Sequence, residues 1–274
     1  MDFKRTLLSG MLLALAAAPL SAKEKPQYLL HQYSELAAVA PGTAPVRSSW
    51  YKEYLEYEIY WGLVNVGSAF LQVSKIVTID GRPAYHLISG ARSSGFIKNF
   101  YTVSDVNESW LDVEGRYSRG YYKKIQEGGY FANEWVIFEN DPKTFRGERM
   151  NKKRETSAVS GALPGPVLDV LSALYLVRTM DLKPGSSQAL TVNTKRTWDM
   201  QVKFRKREKE STAYGKFKCV LVEPQLGDDG LFVAKQGKKM LVWITDDELR
   251  LPLILKAEIF IGSVTAKLVK RRVD

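Results

Sequence analysis

From Trp50 onward, hydrophobic and polar positions alternate in short runs cut by Gly, Pro, Asn and Asp. The sharpest run is Trp198–Arg205. Trp198, Met200, Val202 and Phe204 fall on one side of it, and Asp199, Gln201, Lys203 and Arg205 on the other. Successive side chains of a strand point to opposite faces, so this pattern predicts one buried and one wet face. Comparable strand-like runs are Tyr54–Trp61, Ser68–Thr78, Ala84–Ser89, Asn107–Asp112, Arg116–Gln126, Tyr130–Phe138 and Thr144–Met150. Four more follow at Phe217–Glu223, Lys239–Thr245, Leu253–Phe260 and Ser263–Val269. Asp80-Gly81 is a strong hairpin signal. The expected fold is mainly β: a single curved antiparallel sheet, an open or spiral β-barrel, with one or two short helices on its concave side.

Two segments break the alternation. Ser93–Thr102 carries Phe96, Ile97, Phe100 and Tyr101 at helical spacing and predicts a short helix. Pro166–Met180 predicts a longer one, with Pro166 in its first turn and Lys183-Pro184-Gly185 after its end. Leu168, Leu171, Leu174, Tyr175 and Leu176 leave this segment almost no polar face, so it must be covered on more than one side. A helix lodged inside the curved sheet satisfies that demand. Leu171 and Leu174 are then expected to lie buried between helix and sheet.

The N-terminus reads as an address. Lys4 and Arg5 precede an apolar stretch from Leu7 to Leu20, and Leu20-Ser21-Ala22 supplies a small-residue exit. This is the pattern of a cleavable secretory signal, expected to end at Ala22 and to send the chain to the periplasm. No cysteine lies near that exit, so a lipid-anchored N-terminus is not expected. Three segments result: signal peptide 1–22, N-terminal arm 23–49 and curved-sheet domain 50–274.

The remaining chemistry is sparse. The chain has 274 residues, 1 Cys and 2 His, and carries a formal net charge of +10. One cysteine excludes an intramolecular disulfide and a multi-cysteine zinc site. Cys219 shares a strand face with Phe217 and Leu221, the setting of an inert buried thiol. His86 stands without a second His or a Cys nearby and reads as structural. No Gly-x-Ser-x-Gly, Walker or dinucleotide-binding loop occurs. Asp228-Asp229 and Asp246-Asp247-Glu248 read as solvated turns. Neither a cofactor, a metal nor a catalytic residue is expected.

Basic clusters at Lys152-Lys153-Arg154, Arg205-Lys206-Arg207 and Lys270-Arg271-Arg272 suit an anionic membrane surface, or simply solubility and the protection of strand edges. Export argues against nucleic acid. The aromatic group Trp50, Tyr51, Tyr54, Tyr57, Tyr60 and Trp61 suits cross-strand packing, or the mouth of an apolar cavity.

Several blocks resemble a bacterial envelope family known as domain-of-unknown-function family 3108. They are Leu55-Glu56-Tyr57 with Trp61-Gly62 and Gly67-Ser68-Ala69, then Asp169–Arg178 with Pro184-Gly185. Val222-Glu223-Pro224, Val242–Asp247 with Leu251-Pro252, and Gly262-Ser263 complete the set. The resemblance implies an exported protein whose fold is similar to the LolA and LolB lipoprotein carriers, and it implies no catalytic residues.

The expected function is non-catalytic: binding or carrying a hydrophobic or lipidic envelope component. Leu171, Leu174, Tyr175, Trp198, Met200 and Phe204 are the candidate ligand contacts. Arg205, Lys206 and Arg207 are the candidate holders of an anionic headgroup. A structural envelope protein with a self-filled core and an envelope glycan or lipid hydrolase are the alternatives. Nothing in the sequence sets the oligomeric state.

Overall fold

The computed structural model describes residues 33–40, 47, 49–194, 196–225, 239–259 and 262–273. The signal segment 1–22 and Asp228-Asp229 lie outside the described residues. Of the arm 23–49, residues 33–40, 47 and 49 are described. Its first part rests on the convex face of the sheet, where the Lys75 ammonium donates to the carbonyls of Ser34 (2.7 Å) and Leu36 (2.6 Å). Tyr33 meets the Trp110 ring edge-on there.

The fold is one antiparallel sheet of fourteen strands. The first eight are β1 (Glu53–Trp61), β2 (Val64–Ile79), β3 (Arg82–Ser93), β4 (Ser104–Asp112), β5 (Ser118–Glu127), β6 (Tyr130–Asn140), β7 (Lys143–Met150) and β8 (Thr156–Ala162). The other six are β9 (Ser187–Asn193), β10 (Thr197–Thr212), β11 (Gly215–Pro224), β12 (Met240–Thr245), β13 (Pro252–Glu258) and β14 (Ser263–Val273). The spatial order runs β8 back to β1, then β14 back to β9. Each half is a meander of sequential neighbours, and the single β1–β14 pairing joins them in the middle. β8 and β9 are left as the two edges.

The curved sheet predicted from alternation is what forms. On β10, Met200, Val202 and Phe204 are buried and Asp199, Gln201 and Arg205 exposed, as the period of two requires. Asp80 and Gly81 both have positive φ, 49° and 75°, which gives the turn the twist a hairpin needs. β8 and β9 escaped the sequence pattern for a common reason. Both are edge strands whose first residues are exposed, so their alternation is weak.

The seam between the edges is bridged from within. The chain leaving β8 hydrogen-bonds to β5 (Ser118 N to Val167 O, 2.8 Å) and then pairs with β9. There, Leu168 N donates to Thr191 O (3.0 Å) and Asn193 N to Leu168 O (2.8 Å). One stretch of backbone thus ties both halves together, and the helix that follows it sits inside the curl.

Candidate functional site

The inner helix is Val170–Val177, shorter at both ends than the expected Pro166–Met180. Pro166 lies ahead of the first turn because Leu168 is committed to its bridge with Val192. Asp169 is the N-cap: its extended backbone ends the bridge, and its side chain accepts from Leu171 N (2.9 Å) and Ser172 N (3.1 Å). Its other carboxylate oxygen accepts from the hydroxyls of Ser109 on β4 (2.5 Å) and Ser118 on β5 (2.7 Å). A buried carboxylate is costly unless its lone pairs are filled, and here they are. This cluster fixes where the helix starts.

Arg178 fixes where it ends. Its guanidinium forms a two-point pair with Glu53 on β1, Nη1 to Oε2 at 2.7 Å and Nη2 to Oε1 at 3.1 Å. It also donates to the carbonyls of Leu249 and Arg250, in the turn between β12 and β13. Burial works against the charge on Arg178, but Glu53 outweighs it and raises the guanidinium above its ordinary value. The helix is therefore pinned to β4 and β5 at one end and to β1 and the β12–β13 turn at the other.

Between these pins the helix presents two apolar faces. Leu171 and Tyr175 are fully packed, and Tyr175 stands edge-on to Trp50. Val170, Ala173, Leu174 and Val177 fall at i, i+3, i+4 and i+7, one stripe of a helix. That stripe faces Met200 and Val202 of β10, Val222 and Pro224 of β11, and Met240, Val242 and Ile244 of β12 across a cleft. The cleft holds about 470 Å³ of empty space, counting its open mouth. Its enclosed part has room for water. Every residue lining it is apolar. The arrangement can desolvate an apolar chain and offers no acid, base or nucleophile.

Of the six expected ligand contacts, Leu174 and Met200 line this cleft. Leu174 is half-buried there, not enclosed between helix and sheet as expected, because it faces open space instead of a strand. Leu171, Tyr175 and Phe204 are buried in the core, and Trp198 packs on that core half-buried. None of these four lines the cleft. Nor do Arg205, Lys206 and Arg207 line it. Each pairs with a carboxylate: Arg205 with Glu223, Lys206 with Glu208 and Arg207 with Asp246, all at 2.7 Å. The β11 and β12 runs and the all-round apolar character of the helix were visible in the sequence, but which helical face meets that wall was not.

Two minor candidates, Cys219 and His86, are buried. Burial pushes the Cys219 thiol up to about 12, out of reach of nucleophilic work. His86 is buried against Glu108 (2.7 Å) and stacks on Trp110. Asp247 caps its turn by accepting from Leu249 N and Arg250 N. No group of three or more His, Cys, Asp or Glu positioned to hold a metal occurs among the described residues.

A family model described as "Protein of unknown function (DUF3108)" matches residues 56–269. The chain belongs to this family. Membership agrees with the blocks that carried the resemblance, all of which fall within the matched span or at its edge. No curated protein matches the chain. Among solved structures, a β-barrel-like DUF1849 protein of Brucella abortus is similar at a TM-score of 0.51 and 9% identity, over 82% of this chain and 98% of that one. That likeness supports the curved-sheet fold of this DUF3108 chain. A candidate lipoprotein of Parabacteroides distasonis is 10% identical over 81% of this chain and 95% of its own, at a TM-score of 0.29. A candidate exported protein of Bacteroides fragilis with a YmcC-like fold is 9% identical over 81% and 96%, at 0.28. At such scores the latter two have no bearing on the fold.

Proposed function

We propose that this chain is an exported, non-catalytic protein of the bacterial envelope that binds an apolar molecule, such as an acyl chain, in the cleft between the inner helix and β10–β12. The observation that supports the reading most is the lining itself, eleven residues without one polar side chain. Ligand sites are concave and mostly apolar, with few polar groups for orientation. A site with none suits a chain recognised by desolvation alone. The helix that forms one wall is held at both ends by buried polar clusters, so the cleft keeps its walls without a ligand to prop them apart. The signal-like segment ending at Ala22 supports export.

The test uses protein recovered from the cell envelope, whose N-terminus should read at or near Lys23. A fluorescent fatty-acid analogue should bind it, and Leu174→Trp, which fills the cleft, should weaken that binding at least tenfold. Wild-type protein that gives no displaceable signal would sink the reading in favour of a self-filled structural protein.

A further inference from the structure

The meander places the connections of alternate strand pairs at the same end of the sheet. One rim therefore carries the β1–β2, β3–β4, β5–β6, β7–β8, β9–β10 and β13–β14 connections. Hydrogen bonds confirm the grouping. Gly62 N donates to Ser263 O (3.4 Å), Ser94 N to Val66 O (3.0 Å) and Gly128 N to Thr102 O (2.7 Å).

The exposed apolar side chains gather on this rim. Among the described residues, six large hydrophobics are exposed, and five of them are here: Trp61 (39%), Leu63 (98%), Val64 (57%), Phe100 (74%) and Tyr130 (49%). The sixth, Val273, is at the far end of β14. Leu63 projects from a two-residue turn, and Phe100 follows the short helix Gly95–Lys98. Single exposed hydrophobics are ordinary, but their gathering at one end of a molecule marks an interaction surface.

The charge on the same rim indicates the partner. Lys98, Lys152, Lys153, Arg154 and Arg196 are exposed on it. Among the described residues, Glu155 is the one exposed acid beside them, in the β7–β8 connection. The turns of the opposite rim instead mix exposed acids (Asp80, Glu114, Asp141, Asp247 and Glu248) with exposed bases such as Arg116 and Lys143. Protruding aliphatic and aromatic tips flanked by Lys and Arg match the layered chemistry of an anionic bilayer surface, apolar below and negative at the headgroups. We infer that this rim docks on an anionic lipid bilayer, with Leu63 and Phe100 entering the acyl boundary and the rim cations meeting the headgroups. Pro224 and Met240, at the cleft's end of β11 and β12, lie toward the same rim. Docking would thus bring the apolar cleft toward the lipid, although the inference rests on the rim alone and does not need the cleft to be occupied.

The experiment is flotation of protein expressed from the full sequence with vesicles of phosphatidylglycerol and phosphatidylcholine, set against phosphatidylcholine alone. Binding should favour the anionic vesicles and weaken as salt rises. Leu63→Asp combined with Phe100→Ser should lower it by roughly tenfold or more, the order expected for withdrawing buried apolar side chains. Val273→Ser, on the other rim, should leave it unchanged. Leu63 and Phe100 are exposed, so the double variant should fold, and an unchanged urea midpoint verifies this. Leu174→Trp should also leave flotation unchanged, which separates failure of the docking surface from failure of the cleft. Equal flotation of wild type and double variant, or an equal loss with Val273→Ser, overturns the inference. Self-association abolished by Leu63→Asp in protein that ignores vesicles also overturns it and assigns the rim to a second copy of this chain.

Discussion

Both halves of the sheet line the interior with apolar residues, but only one of them runs a polar row across its inner face. On β10–β12 the concave face is Met200, Val202, Val222, Val242 and Ile244, all apolar and open to the cleft. Across β3–β8 a single lateral row of paired residues reads Ser89, Asn107, Lys123, Glu134, Arg149 and Ser157. The row shares its face with Ser109, which bonds to the helix cap, so it too looks inward. Its centre is closed by charge. Glu134 takes Lys123 at 3.2 Å and Arg149 at 2.7 Å, and accepts a hydrogen bond from Tyr121. One half therefore sets a charged and polar row among the apolar residues of its inner face, such as Leu87, Val136 and Phe138, while the other leaves an apolar gap. Only the second is free to exchange water for a ligand at little cost, because nothing polar there needs a new partner.

The largest test of that contrast is Glu134→Gln. Burial alone would raise the Glu134 carboxyl, but Lys123, Arg149 and Tyr121 outweigh it and bring it down to about 2. Its ionised form therefore stabilises the fold in full above its ordinary value of 4.5, and that contribution is lost as pH falls toward 2. Removing the charge leaves Lys123 and Arg149 facing each other and should cost about 3 kcal/mol in urea unfolding at pH 7. The acid limb of the wild-type stability curve should flatten in the variant. Asp105, on the same inward face, should behave with the opposite sign. Burial pushes its carboxyl up to about 7, so the folded state holds a proton that the unfolded state has released. That contribution is present below the ordinary value of 3.8 and fades as pH rises through about 7. Asp105→Asn should consequently gain on the order of 1 kcal/mol at pH 8. If both variants had flat differences from wild type between pH 3 and 8, the polar half would not be holding itself together by charge.

The sequence displayed these two halves unequally. Alternation identified most strands and the curvature they imply, and the all-round apolar character of residues 168–176 required a helix covered on more than one side. Those features are local and periodic. The polar row was not legible, because Ser89, Asn107, Lys123, Glu134 and Arg149 are far apart along the chain and meet only through register. The misplaced helix start has the same origin. Pro166 is a sound local signal, but a tertiary pairing, Leu168 with Val192, overrides it. Arg205, Lys206 and Arg207 looked like a patch because their partners Glu223, Glu208 and Asp246 were not all visible as neighbours in sequence.

The smallest expected effect sharpens the comparison within the helix itself. Leu171 and Leu174 are one turn apart and chemically identical, yet they face the two environments. Leu171 is buried in the main core, where truncation removes contacts and leaves a cavity that its neighbours cannot close. Leu171→Ala should therefore cost about 2–5 kcal/mol. Leu174 is half-buried and borders space that is already empty, so truncation widens the cleft without creating a void in packed material. Its loss of apolar burial should amount to about 1 kcal/mol or less, toward the low end for part of a leucine side chain. Urea midpoints of the two variants, measured side by side, decide the matter. A cost at Leu174 equal to that at Leu171 would mean that the cleft is closed in solution, and that both halves of the sheet are filled.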